Sequence, residues 1–104
     1  MNKVITDIEI SKRTLITIGI LCFNAEKTIL DAIRSAVNQS WENKEIILVD
    51  DASSDNSVEK IRNSQYFKNL KLVVNTRNKG ASFSRNKIVI ESRGEFICFF
   101  ENFL

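Results

Sequence analysis

The feature that most constrains this chain is a switch in hydrophobic period that repeats along it. From Leu15 onward, short runs of β-branched and apolar residues trade places with segments whose apolar residues recur at helical spacing. "LITIGILC", "KEIILVDD", "LKLVVN" and "EFICFF" read as strands buried on both faces. Between them, "NAEKTILDAIRSAVNQS" carries Ile29, Ala32, Ile33, Ala36 and Val37 on one stripe. "SSDNSVEKIRNSQ" turns Val58 and Ile61 toward a core, and "ASFSRNKIVIESR" is a third helix. Asn24 reads as the N-cap of the first helix and Gly94 as the C′ residue that stops the third. The order β-α-β-α-β-α-β predicts an α/β protein in three layers, a parallel sheet with helices on both faces and right-handed crossovers.

The expected strand order is 3-2-1-4, half of a nucleotide-binding sheet. In such sheets a ligand sits at the carboxyl ends of the strands, where the chain reverses direction across the sheet. Here that point lies between the first and fourth strands. The polar ends of three strands, "CFN", "DD" and "EN", then line one edge.

A chain of 104 residues supports a single domain, placed at 15–104. Residues 1–14 show no clear period and read as a flexible arm or an extra edge strand. The longest apolar run, "LITIGILCF", is far shorter than the roughly 20 residues of a membrane-crossing helix, and the N-terminus has no signal-peptide core. A cytoplasmic location is expected, with Cys22 and Cys98 as reduced, buried thiols. The net charge of +2 is spread along the chain, which argues against a nucleic-acid partner. There is no histidine, so Ser-His-Asp catalysis, Cys-His catalysis and histidine-ligated zinc are excluded, and acid-base or metal chemistry falls to carboxylates.

Asp50 and Asp51 close the second strand. Side chains alternate along a strand, so the two carboxylates point apart. Either one faces the crevice and accepts hydrogen bonds from a base or ribose, or both cap N–H groups of the turn and helix that follow. Phe23 offers a ring for stacking on a base or for packing under a helix. Gly80 permits a tight entry into the third helix, and Arg77, Lys79 and Arg85 bring positive charge for a diphosphate or form a solvated basic loop. Trp41 reads as a structural anchor. Glu101 is a candidate ligand for a hard divalent cation or a solvated charge. A receiver-like domain is disfavoured, because "VVNTRN" has no aspartate after the third strand.

The stretches "ITIGILCFNAEKTILDAIRSAVNQSWENKEIILVDDASSDNS" and "RNKGASFSRNKIVIESRGEFICFF", in this order and spacing, resemble the opening of family-2 glycosyltransferases, inverting enzymes with the GT-A fold. The resemblance implies the Rossmann-like nucleotide-binding half of that fold, which takes a nucleotide-sugar, most often a UDP-sugar. It implies that Phe23 matches the tyrosine that stacks on the base, followed by Asn24. Asp51 matches the aspartate that hydrogen-bonds the base, with Asp50 its partner. Asn78, Gly80 and Arg85 match the segment near the base and phosphates. The family usually has a proline before the Phe23 triplet, and this chain has no proline.

The resemblance also implies a divalent metal, Mn²⁺ or Mg²⁺, held by an Asp-x-Asp motif after the fourth strand. "ENFL" stands in that place, with Glu101 on the first aspartate and Phe103 on the metal-ligating one. The reading is therefore a truncated nucleotide-sugar-binding portion, inactive alone. Its parent would transfer a sugar to a glycan or lipid acceptor in bacterial surface polysaccharide synthesis, with peripheral membrane association. The alternative is a non-catalytic module that self-associates through an exposed sheet edge, covered by the N-terminal arm or the "FICFFENFL" tail.

Overall fold

The computed structural model describes residues 13–103; the expected N-terminal arm, as far as residue 12, lies outside the described residues, as does Leu104. Four strands form one sheet: β1 (Ile16–Phe23), β2 (Lys44–Asp50), β3 (Lys71–Val74) and β4 (Phe96–Phe103). Their order is β3-β2-β1-β4 and all pairs are parallel, as the alternation of periods predicts. The helices are α1 (Ile29–Val37), α2 (Ser57–Arg62) and α3 (Ala81–Glu91), with a 3₁₀ turn at Phe67–Asn69 before β3.

The two faces of the sheet carry separate cores. Ile18, Ile20 and Cys22 of β1 and Ile46 and Leu48 of β2 meet Ile29, Ile33 and Ala36 of α1 and Ile61 of α2. On the other face Leu21, Ile47 and Val49 meet Ile88 of α3. Each strand thus divides its side chains between two layers, which is why β1 and β2 read as continuous apolar runs. Gly19 sits under α3. A Cβ there would stand 2.7 Å from Ile88 Cγ2, so the close approach of helix to sheet requires glycine.

Three local expectations are corrected. Asn24 does not cap α1. The helix begins five residues later with Thr28 at its N-cap and no side-chain cap bond, because Asn24 is drawn into the neighbouring loop. Gly94 is not a left-handed C′ residue, since Gly80 is the glycine with positive φ. Gly94 is required by space instead: a Cβ would lie 2.3 Å from Thr17 Oγ1, which accepts the Gly94 N–H at 3.0 Å. Cys98 is a free thiol but an exposed one, whereas Cys22 is buried. Cys98 pairs with Ile18 at the edge of the sheet and lines an open groove with Trp41 and Phe100. Trp41 anchors as expected, its Nε1 donating to the Thr14 carbonyl at 2.9 Å.

Candidate functional site

The carboxyl edge of the sheet is a set of loops tied together by polar side chains. The chain leaves β1 through Asn24, whose φ of 50° lies in the left-handed region that asparagine tolerates. That turn aims Asn24 Oδ1 at the loop after β2, where it accepts the Ser54 N–H at 2.8 Å and the Asp55 N–H at 3.3 Å. The loop answers in kind. Ser53 Oγ accepts the Asn24 N–H, Ser57 Oγ accepts the Ala25 N–H, and Asp55 Oδ2 accepts the Glu26 N–H. Glu26 Oε1 in turn accepts the Asn56 N–H at 3.2 Å. Burial acts to raise the Asp55 pKa. The Ser57 hydroxyl and N–H and the Glu26 N–H outweigh it and hold the carboxyl below its ordinary value.

Asp50 and Asp51 point to opposite sides of the sheet, as their adjacent positions demand. Asp50 is fully buried and accepts Ser53 N–H at 2.9 Å and Ser53 O–H at 2.6 Å. Its charge lies beside Cys22. Burial first, and then Asp50, push that thiol up to about 12, so it stays protonated at neutral pH. Asp51, 4% exposed, organises the loop after β3. Its Oδ1 accepts Asn75 Nδ2 at 2.9 Å and Lys79 N–H at 2.7 Å, and its Oδ2 accepts Gly80 N–H at 2.9 Å. Gly80 has φ of 92° with open space where a Cβ would go, so the backbone conformation alone selects glycine there. Asn75 Nδ2 also donates to Ser84 Oγ at 3.1 Å, which joins the strand end to α3. Both aspartates thus cap turn N–H groups. With about four acceptor positions on a carboxylate, Asp51 retains room for one further donor.

Phe23 ends β1 half-buried, and Asn78 is exposed in the loop that Asp51 holds. Lys79 Nζ sits 4.6 Å from the centroid of the Phe83 ring. Arg85 Nε donates to Glu101 Oε2 at 2.8 Å, and Nη2 donates to the same oxygen. The expected residues therefore gather on one edge in two clusters. Asn24 and Asp50 stand with the loop after β2; Asp51, Asn78, Gly80, Arg85 and Glu101 stand on the α3 side. Sequence reasoning passed over Ser53, Asp55, Ser57, Asn75 and Ser84, which build this edge. The density of short polar residues in "SSDNS" was the available signal, but their partners lie about 30 positions away in the chain.

The donor set does not make a metal centre. Among the described residues no group of three or more His, Cys, Asp or Glu is placed to hold an ion. Glu101, the candidate ligand, faces a guanidinium, while Asp50 and Asp51 are turned to loop N–H and O–H donors on opposite sides of the sheet. Also among the described residues, no helix is long and apolar enough to cross a membrane.

Comparison with known proteins gives a consistent picture. Residues 17–102 match the family described as Glycosyl transferase family 2. A cholesterol galactosyltransferase of Borreliella burgdorferi is 40% identical over 86 residues, covering 79% of this chain and 23% of that protein. An Escherichia coli UDP-Glc:alpha-D-GlcNAc-diphosphoundecaprenol beta-1,3-glucosyltransferase is 35% identical over 88 residues, covering 85% of this chain and 34% of its own length. The chain thus spans about a third or less of these relatives. Among solved structures, S. aureus TarS 1–349 in complex with UDP superimposes with a TM-score of 0.75 at 26% identity, over 84% of this chain and 27% of that one. A mannosyltransferase of Pyrobaculum calidifontis in complex with GDP-Man and Mn²⁺ shares the fold with a TM-score of 0.78 at 21% identity, over 86% of this chain and 27% of that one.

Proposed function

The chain belongs to glycosyl transferase family 2, and we propose that its carboxyl edge is the nucleotide-sugar-binding portion of an inverting, GT-A-fold sugar transferase. The observation that carries this reading is the superposition on UDP-bound TarS over most of the chain, which supports a nucleotide at the carboxyl edge where the expected residues gather. Phe23 stacks on the base. Asp51, already holding the Lys79 and Gly80 N–H groups, gives its remaining acceptor position to a base N–H. Asn24 and Asp50 brace the loops around that pocket. Asn78, Gly80 and Arg85 stand toward the phosphates, beside the first turn of α3.

The relatives that use UDP-glucose on a diphosphoundecaprenol acceptor support a role in cell-surface polysaccharide synthesis, and a cytoplasmic location is part of the same proposal. Transfer to a glycan or lipid acceptor is the activity proposed for the whole enzyme. Binding without turnover is the role proposed for residues 1–104, since the candidate metal ligand Glu101 is paired with Arg85 and, among the described residues, no group of three or more His, Cys, Asp or Glu is placed to hold an ion.

A calorimetric titration with UDP tests the reading. Micromolar to millimolar binding by the wild-type chain, weakened about tenfold in Phe23→Ala, is expected, in line with roughly 1–3 kcal/mol for base stacking on an aromatic ring. Equal affinity for UDP in both proteins, or none in the wild type, overturns it.

A further inference from the structure

Arg85 and Glu101 are turned toward each other at the edge where a diphosphate would lie. Arg85 stands on α3, and Glu101 stands on β4 opposite Leu21 of β1, on the face that α3 covers. Both guanidinium contacts go to one carboxylate oxygen, Oε2, and both side chains remain 39% exposed. Of the two cations in the loop before α3, Lys79 has its ammonium over the Phe83 ring and its backbone N–H on Asp51, and Arg77 is exposed.

We infer that Glu101 is a built-in competitor for the anion subsite: its carboxylate occupies the Arg85 guanidinium, and a diphosphate binds by displacing it. The inference rests on the nucleotide reading above and deepens it. A guanidinium takes carboxylate and phosphate with the same fork of N–H donors, so the two anions are alternatives at one place. The present pair uses a single carboxylate oxygen, whereas two phosphate oxygens would engage Nε and Nη2 in parallel. A half-exposed pair of this kind is worth little in solution, so it yields readily to a doubly charged ligand. Glu101, the expected metal ligand, becomes a latch on the anion-binding arginine. Charge on a bound diphosphate is met by Arg85 from this chain's own residues.

The test is a double-mutant cycle on the full 104-residue chain, read by calorimetry with inorganic pyrophosphate, UDP and uridine, and by the NMR resonance of the Arg85 Nε proton. Glu101→Gln is expected to tighten pyrophosphate and UDP about two- to fivefold, the size of one exposed ion pair, and to leave uridine unchanged. The gain is expected to vanish in Arg85→Gln/Glu101→Gln, which separates a latch from a general loss of negative charge. Pyrophosphate is expected to shift the Arg85 Nε proton in the wild type. Equal pyrophosphate affinity in wild type and Glu101→Gln, including undetectable binding by both, overturns the latch, as does a gain that persists without Arg85. Tighter pyrophosphate binding with no response to UDP or uridine leaves the latch standing and removes the nucleotide reading. UDP binding that ignores Glu101 does the reverse.

Discussion

Asp51 shows how much one side chain does at this edge. Three N–H donors converge on it from the loop that enters α3. Asp51→Asn keeps the shape but turns one acceptor into a donor that meets Lys79 or Gly80 N–H head on. The cost of a buried unsatisfied group is about 1–3 kcal/mol. Urea denaturation should register a loss of that size, and amide exchange at Lys79 and Gly80 should accelerate; an unchanged midpoint would show that the loop is held by other means. The sequence placed Asp50 and Asp51 correctly at the mouth of the sheet, because a buried strand ending in two carboxylates is legible locally. It left open what they touch. Ser53, Lys79 and Gly80 are their partners, and the last two approach only after β3 and its loop have folded back. The same holds for Asn24, whose helix-cap reading was locally sound and lost to the loop after β2.

At the level of elements, the alternation of periods predicted the four strands and three α-helices of the described residues, and the nucleotide-binding type of sheet supplied the strand order, while the 3₁₀ turn at Phe67–Asn69 went unpredicted. The elements were legible because buried parallel strands and amphipathic helices differ in period, and because right-handed crossovers leave few arrangements. Helix ends were harder: α1 starts at Ile29, well after the polar stretch that suggested its cap. Edges were harder still. Cys98 sits in an apolar run that reads as interior, yet among the described residues β4 has a strand on one side alone and Cys98 lines an open groove. Gly19 marks the element contact on which the α3 layer depends. Gly19→Ala forces its methyl into Ile88, and overpacking of this sort costs typically 1–3 kcal/mol. Denaturant unfolding should show that loss; an unchanged midpoint would show that α3 admits the methyl without strain.

For the molecule as a whole, three carboxylates set an acid limit. Burial acts to raise the pKa of Glu45, but the Thr17 hydroxyl and the Arg93 and Gly94 N–H groups, with the Arg93 charge, bring it below the ordinary value. Lys71 lowers Glu91, and Asp55 is lowered in its loop. Depressed folded values mean that the unfolded chain takes up protons first. The stability these groups contribute is fully present only above about pH 4.5, the unfolded value of the glutamates, and is lost as pH falls through their folded values. The raised Cys22 thiol works at the other end. The unfolded chain ionises first, so stability declines above about pH 8.5. Urea midpoints across this range should trace a plateau falling at both ends, and a flat acid limb would refute the assignment. Large apolar side chains are also exposed, Ile90 at 72% on α3 and Phe96 and Phe99 on the edge strand β4. We expect concentration-dependent association in light scattering, suppressed by Phe99→Lys; a monomer at every concentration would rule it out.

The central position of β1 also governs the order of assembly. It is the first strand of the sheet, yet one of its neighbours is the last, β4. As the chain is made, β2 and β3 follow β1 before β4 does, so the seam on the other side of β1 waits for β4. Closing so distant a pairing is slow compared with local contacts. Closing of the β1–β4 seam is what brings Glu101 up beside Arg85, so the proposed competitor reaches the anion subsite later than the β1–β2 and β2–β3 pairings form.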